Sequence, residues 1–258
     1  MSEGARTQQE PTGQQVDDDD EVRRALLRHP VGRVVTPRRI DRMVEVLSER
    51  LTSVTILLEN LSDPHNVCAI VRSAEGFGLD RVHVVEQPNK FVRNPAILRG
   101  SDRWLTVEKH KELARTLLDM QAQGFVTAIA DVGRGCVPLG ELPVDGKLAI
   151  VMGSEHEGLS RRARSLADVR FTIPMQGFTE SFNVSVSAAI TLFDVTRRKR
   201  AFLGRRGELT VDERVQRGVT WLKKTVKHAA AIEARGLDDD DVEQTPPAVV
   251  LRERTNVA

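Results

Sequence analysis

The sequence predicts an α/β protein built on a parallel sheet, and three observations carry that prediction. Short apolar runs, VTILL at Val54 to Leu58 and LAIVM at Leu148 to Met152, have the length and β-branched content of strands buried on both faces. Between such runs, apolar residues recur at helical spacing. The stretch from Val54 to Glu86 reads strand, helix, strand in about 30 residues, a βαβ unit whose two strands must be parallel.

Taken in order, residues 1–20 are rich in Gln, Gly, Pro, Thr and Asp and have little to bury, so a disordered acidic tail over 1–21 is expected. Arg23 to Arg28 is a short basic helix candidate. Pro37 opens a second helix, with Ile40, Met43, Val44 and Leu47 at helical spacing. These form a helical N-terminal extension over 22–50. Asp63 followed by Pro64 is an N-cap and first-turn pair, and Val67, Ile70, Val71, Ala74 and Phe77 line one face of the helix it starts. Arg81 to Glu86 is the next strand. Pro95 to Gly100 is a short helix candidate and Trp104 to Val107 a small strand. Lys109 to Gln123 reads as an amphipathic helix stopped by Gly124, followed by a strand at Phe125 to Ala130. Asp131 to Gly146 holds glycines and prolines and reads as loop. After Met152 comes GSEHEGLS, then a helix capped by Ser160 and ending near Ala167. Phe171 to Ile173 is a strand stopped by Pro174. A polar loop follows, then a helix with Val186, Ala189, Ile190 and Phe193 on one stripe. Val211 to Arg235 reads as a last helix, in a C-terminal extension over 201–237, before an acidic tail over 238–258.

A formal charge of +1 conceals an asymmetry. Residues 1–21 carry 7 acidic and 1 basic residue and residues 238–258 carry 6 and 2, which leaves 35 basic and 24 acidic residues over 22–237. A basic body points to a polyanion such as nucleic acid; its plain alternative is a solubilising surface. No apolar run reaches the roughly 20 residues of a membrane span, and the first residues have no apolar leader core. Cys68 and Cys136 form no CxxC pair, which fits a reduced cytosol, so a cytoplasmic protein is expected. No GxGxxG follows a strand, no phosphate-binding GxxxxGK[ST] occurs, and the six histidines show no ligand spacing, so no metal is expected.

Three polar stretches follow buried strands: Glu59 to Asn66, Gly153 to Gly158, and Pro174 to Asn183. Ligands of parallel α/β sheets bind beyond the carboxyl ends of the strands. Singly, each residue has a structural reading: Asn66 can satisfy N–H groups at a helix start, Arg72 can be a solvated arginine, Glu155 can favour a helix dipole, and Ser181 and Asn183 can be caps. The residues themselves carry the argument as far as a basic α/β domain with a polar site at its strand ends.

Together, Glu59-Asn60 with HNVCAIVRSAEGFG (65–78), IVMGSEHEGLS (150–160) and IPMQGFTESFNVSVSAAI (173–190) resemble the SpoU/TrmH group of SPOUT RNA 2′-O-ribose methyltransferases, in that group's order and spacing over about residues 40–200. The resemblance implies a SPOUT fold over 51–200 with a C-terminal trefoil knot, S-adenosyl-L-methionine as cofactor, and a homodimer formed through the helix after Asn183. It also implies a catalytic set of Asn66, Arg72, Glu155, Ser181 and Asn183. The cofactor contacts would be Ala130, Gly153, Ile173, Met175 and Phe182, the last standing where relatives often carry leucine. The segment ELTVDERVQRGVTWLKKTVKHAAAIEARG resembles the RNA-binding helical extension of tRNA guanosine-18 methyltransferases, which favours tRNA; ribosomal RNA and a non-catalytic RNA-binding role are the alternatives.

Overall fold

The computed structural model describes residues 13–86, 90–133, 135–154 and 158–235. In chain order these form α1 (Gly13–Arg28), α2 (Pro30–Arg33), α3 (Pro37–Ser48), β1 (Val54–Glu59), α4 (Pro64–Gly76), β2 (Arg81–Val85), α5 (Pro95–Leu98), β3 (Thr106–His110), α6 (Leu113–Ala122), β4 (Phe125–Ala130), β5 (Val137–Pro138), β6 (Lys147–Met152), α7 (Arg161–Leu166), β7 (Val169–Thr172), α8 (Val184–Leu203), α9 (Val211–Thr225) and α10 (Ala229–Arg235). The seven strands make one all-parallel sheet in the order β3-β2-β1-β6-β4-β7-β5.

Two units divide the chain, Glu49–Glu208 and the described residues on either side of it. In the sheet unit, β1 and β6 bury nearly every residue, because helices cover both faces of a parallel sheet. One face packs Ile56, Ile70, Val71, Val84, Ile150 and Phe171 together with Leu192 and Val195 of α8. The other packs Leu57, Val151 and Ile129 with Leu117 and Met120 of α6. Buried Arg50 donates to Leu79 O (2.6 Å) and Glu75 Oε1 (2.9 Å), tying the chain before β1 to the end of α4. His83 is buried in β2; burial, then the His110 ring and Arg81, lower its pKa to about 3.

The flanking unit gathers α1, α2, α3, α9 and α10, and buries Val22, Leu26, Ile40, Leu47, Trp221 and Leu222. Thr210 opens α9 with a full capping box against Glu213. Gly218 faces Leu26 so closely that a Cβ there would lie 2.7 Å from Leu26 Cδ2.

Four local expectations need correction. The first helix begins at Gly13, ten residues before Arg23, so the aspartate run is not a tail. Asp18 and Asp19 pair with Arg214, whose side chain is only 5% exposed. A buried cation needs such partners, and this tertiary contact overrides a locally featureless sequence. Lys109 and His110 belong to β3, where Lys109 pairs with Glu86 (2.8 Å), and α6 starts only at Leu113. The 131–146 segment contributes the edge strand β5, which pairs with β7. The last helix breaks between Thr225 and Ala229, with His228 in the left-handed region (φ 61°). Residues 1–12 and 236–258, which hold the remaining acidic segments, lie outside the described residues.

Candidate functional site

The sheet order places β6, β4 and β7 side by side. Register makes their ends level: Val151 pairs with Ile129, and Ala130 pairs with Phe171. Ala130, Gly153 and Ile173 therefore stand at the carboxyl ends of three adjacent strands. Asp131, just past Ala130, donates its N–H to Phe171 O (2.9 Å). Its nearly buried carboxylate accepts from Arg170 Nε (3.1 Å) and lies 3.3 Å from Arg164 Nε. From the sequence alone Asp131 is the first residue of a loop; the signal that marks it is a carboxylate immediately after a buried strand.

After β6 the chain doubles back. Ser154 and Gly158 bond each other through both main-chain pairs (3.0 and 3.1 Å). A Cβ on Gly153 would lie 2.4 Å from the Gly158 carbonyl carbon, so only glycine lets this turn close. Gly158 sits in the left-handed region (φ 64°), which suits a residue without Cβ. Ser160 then caps α7 through Ala163 N–H (3.2 Å) and gives its own N–H to Glu59 Oε2 (3.0 Å). The loop after β6 is thereby fastened to the end of β1. A shallow cleft opens there, lined by Glu59, Asn60, Val85, Leu113, Ser154, Gly158 and Ser160. Glu155 lies outside the described residues.

The third stretch leaves β7 at Thr172. Ile173 and Met175 are partly buried, and Phe178 and Phe182 are exposed. The loop ends at Asn183, which has two tasks. Its Oδ1 caps α8, accepting from Ser185 N (2.8 Å), Ser185 Oγ (2.6 Å) and Val186 N (3.4 Å). Its Nδ2 donates to Asn66 Oδ1 (3.2 Å). Asn66 lies in the first turn of α4, whose N-cap Asp63 accepts from His65 N (2.8 Å). Two residues 117 positions apart are thus joined where α4 and α8 begin, and both helices start beside the strand ends. Arg72 is exposed, six residues further along α4, or about 9 Å of helical rise. It makes no ion pair with any described residue. Ser181 is exposed, two residues before the contact between the asparagines.

The strand ends thus carry small or apolar positions (Ala130, Gly153, Ile173, with Met175 just beyond) and main-chain groups, a hydrogen-bonded amide pair lies where α4 and α8 begin, and Arg72 is exposed further along α4. Main-chain donors and acceptors beside an apolar floor suit a nucleoside-like ligand, and an exposed guanidinium suits a phosphate.

The structure of an Aquifex aeolicus TrmH/SpoU tRNA modifying enzyme superposes with a TM-score of 0.68 at 27% identity, covering 74% of this chain and 98% of that one. The fold is that of the SPOUT methyltransferases. The model of the SpoU rRNA Methylase family matches residues 53–193. A tRNA (guanosine(18)-2′-O)-methyltransferase of Borreliella burgdorferi is 32% identical over 183 residues, 71% of this chain and 83% of that protein. A protein of the same name from Escherichia coli is 30% identical over 166 residues, 64% of this chain and 72% of that protein. The chain belongs to the SpoU methylase family.

Proposed function

We propose that this protein methylates the ribose 2′-hydroxyl of RNA, with S-adenosylmethionine as methyl donor and guanosine 18 of the tRNA D-loop as target. The observation that carries the reading is the Asn66–Asn183 hydrogen bond beside three level strand ends, which joins two otherwise separate motifs in one site. The names of the relatives from Borreliella burgdorferi and Escherichia coli support the target nucleotide. The bound cofactor supplies an electrophilic methyl group. Ala130, Gly153, Ile173, Met175 and Phe182 hold it, mostly through main-chain groups, which is why Phe182 can stand where relatives often carry leucine.

Arg72 brings a fixed positive charge to the ribose and its phosphate, and so favours the developing oxyanion whichever group takes the proton. A guanidinium, with a pKa above about 12, is a poor base by itself, and a substrate phosphate held by Arg72 shares the task. Asn183 orients Asn66, and Asn66 positions the ribose against Arg72. Ser181 shapes the loop before α8, and Glu155 belongs to the catalytic set by the family resemblance. Alignment does most of the work of a direct methyl transfer.

The outward stripe of α8 supports a homodimer. Val186, Ala189, Ile190 and Phe193 are the apolar positions picked out by periodicity, yet the unit's fully buried positions lie on the opposite side, Ala188, Thr191, Leu192, Val195 and Lys199, and of the stripe Ile190 packs partly against that core. Val186 (44%) and Phe193 (57%) are left exposed, and a second copy covers them. The strand order, in which the chain crosses from β6 over β4 to place β7 on its far side, is compatible with the trefoil knot of the family. The excess of basic residues over 22–237 and the exposed Lys223, Lys224 and Lys227 of the C-terminal extension suit RNA contact. No helix among the described residues is long and apolar enough to cross a membrane, in keeping with a cytoplasmic setting.

The test is to incubate the protein with methyl-labelled S-adenosylmethionine and either a tRNA transcript or ribosomal RNA, then map the label by nuclease digestion and mass spectrometry. Label on the 2′-oxygen of guanosine 18 is expected. Label only in ribosomal RNA moves the target, and no transfer to either RNA refutes the reading.

A further inference from the structure

Along the chain His83 and His110 are 27 residues apart and carry no spacing signal. Parallel pairing of β2 and β3 changes that. His83 stands opposite Glu108, and Val85 stands opposite His110. Glu108 and His110 are two apart in one strand, so all three side chains emerge on one face of the sheet. His83 Nδ1 is 2.9 Å from His110 Nε2 and 3.3 Å from Glu108 Oε2, and the three ligand atoms all lie within 4.8 Å of one another. The rings are tilted by 31° with centroids 5.1 Å apart, so the two nitrogens face each other across this contact, and a turn of each ring aims both lone pairs at a metal beside it.

We propose that His83 Nδ1, His110 Nε2 and Glu108 Oε2 form a zinc site at the outer edge of the sheet, with the fourth position left to water. Tetrahedral zinc at its usual bond lengths spaces its ligand atoms about 3.3 Å apart, close to the two shorter separations here. Two imidazoles and a carboxylate are a borderline-soft donor set that favours zinc over magnesium or calcium. Glu108 uses its other oxygen, Oε1, to accept from Arg81 Nη1, which orients the carboxylate from outside the ligand shell. In the metal-free protein one ring donates to the other. On binding, that ring moves its single N–H to its outward nitrogen, so two neutral imidazoles coordinate and no proton leaves either ring. Two strands, β2 and β1, separate β3 from β6, so this site is distinct from the methyl-transfer site. Its effect is to fasten the edge strand to its neighbour.

The test uses the untagged full chain, stripped with a chelator and dialysed. Cobalt(II) is titrated in and followed by visible absorption, then displaced with zinc. The expected result is a saturable four-coordinate cobalt spectrum at one equivalent, abolished by zinc, with a thermal midpoint that rises as zinc is added. Glu108 and His110 are only partly buried, so E108Q and H110A should fold, as circular dichroism will verify. Each should weaken cobalt binding by more than the about 10- to 100-fold typical of losing a supporting hydrogen bond alone. The proposal is overturned if the folded wild type shows no saturable cobalt spectrum, or if E108Q leaves that spectrum and its midpoint unchanged. E108Q decides the matter alone should H110A fail to fold.

Discussion

Replacing Asn183 separates the structural and chemical halves of the site. Asn183→Ala removes a helix cap with three acceptor contacts and one amide bond to Asn66. Loss of an Asn cap costs about 0.5–2 kcal/mol, and an exposed amide hydrogen bond adds at most about 1 kcal/mol. Both lie in the 160-residue unit from Glu49 to Glu208. At about 2–4 °C per kcal/mol for a unit of this size, a drop of roughly 1–12 °C in Tm is expected. Asn183→Asp keeps the capping oxygen and gains from the helix dipole, so its stability should stay near wild type. It replaces the donor facing Asn66 Oδ1 with an acceptor, however. Asn66 must then turn its amide and withdraw that oxygen from its present direction. Methyl transfer should therefore fall in both variants while only the alanine loses stability. Differential scanning calorimetry and single-turnover kinetics on each variant make the comparison. Equal loss of stability in Asn183→Asp and Asn183→Ala would refute the capping argument. Full activity in Asn183→Asp would refute the role of the Asn66 contact.

Arg72→Ala and Arg72→Lys should each lower kcat by about 10²–10⁴-fold at saturating tRNA, with S-adenosylmethionine affinity held, since Arg72 is exposed and leaves the core untouched. A rise in KM alone would reduce Arg72 to a phosphate contact. Gly153→Ala should destabilise by about 1–3 kcal/mol and weaken cofactor binding measured by calorimetry, because the added Cβ forces the Ser154–Gly158 turn open; unchanged binding would remove that turn from the pocket. Asp168 accepts from Thr127 N (2.8 Å), Thr127 Oγ1 (2.7 Å) and Gln121 Nε2 (3.1 Å). Burial raises its pKa, but these bonds outweigh that and hold it below its ordinary 3.8. A depressed carboxylate stabilises fully above its unfolded pKa and loses that contribution as pH falls through the folded value. The stability gap between wild type and Asp168→Asn should thus be constant above about pH 5 and close below pH 3.8; a gap that widens in acid would reverse the sign of this argument.

Much of the sheet unit was legible from the chain because its signals are local. VTILL, LAIVM and the Asp63-Pro64 start each name their own element, and each formed where expected. What failed to show locally was decided by pairing across the chain. The end of β3, Lys109 and His110, looks like the start of a helix until β2 supplies its partners, and the aspartate run looks unstructured until Arg214 needs it. The candidate site divides in the same way. Asn66 and Asn183 could be picked out as polar residues near helix starts, but no property of either predicts that they touch. Periodicity found the α8 stripe without showing whether it faces inward, because a helix with apolar residues on two sides has no single inner face in the sequence.

The pairing of Asp18 and Asp19 with Arg214 has a consequence for how the chain is made. The unit that holds these residues is discontinuous: α1 to α3 precede Glu49–Glu208 in the chain, and α9 and α10 follow it. Glu49–Glu208 is one uninterrupted segment and can complete its sheet during synthesis. The opening helices have no such opportunity, because Trp221, Leu222 and the buried guanidinium that complete their core come after that whole segment in the chain. Helices of this length are marginal on their own. The aspartate run therefore also keeps the first helix charged and water-compatible for the whole interval in which its Arg214 partner does not yet exist.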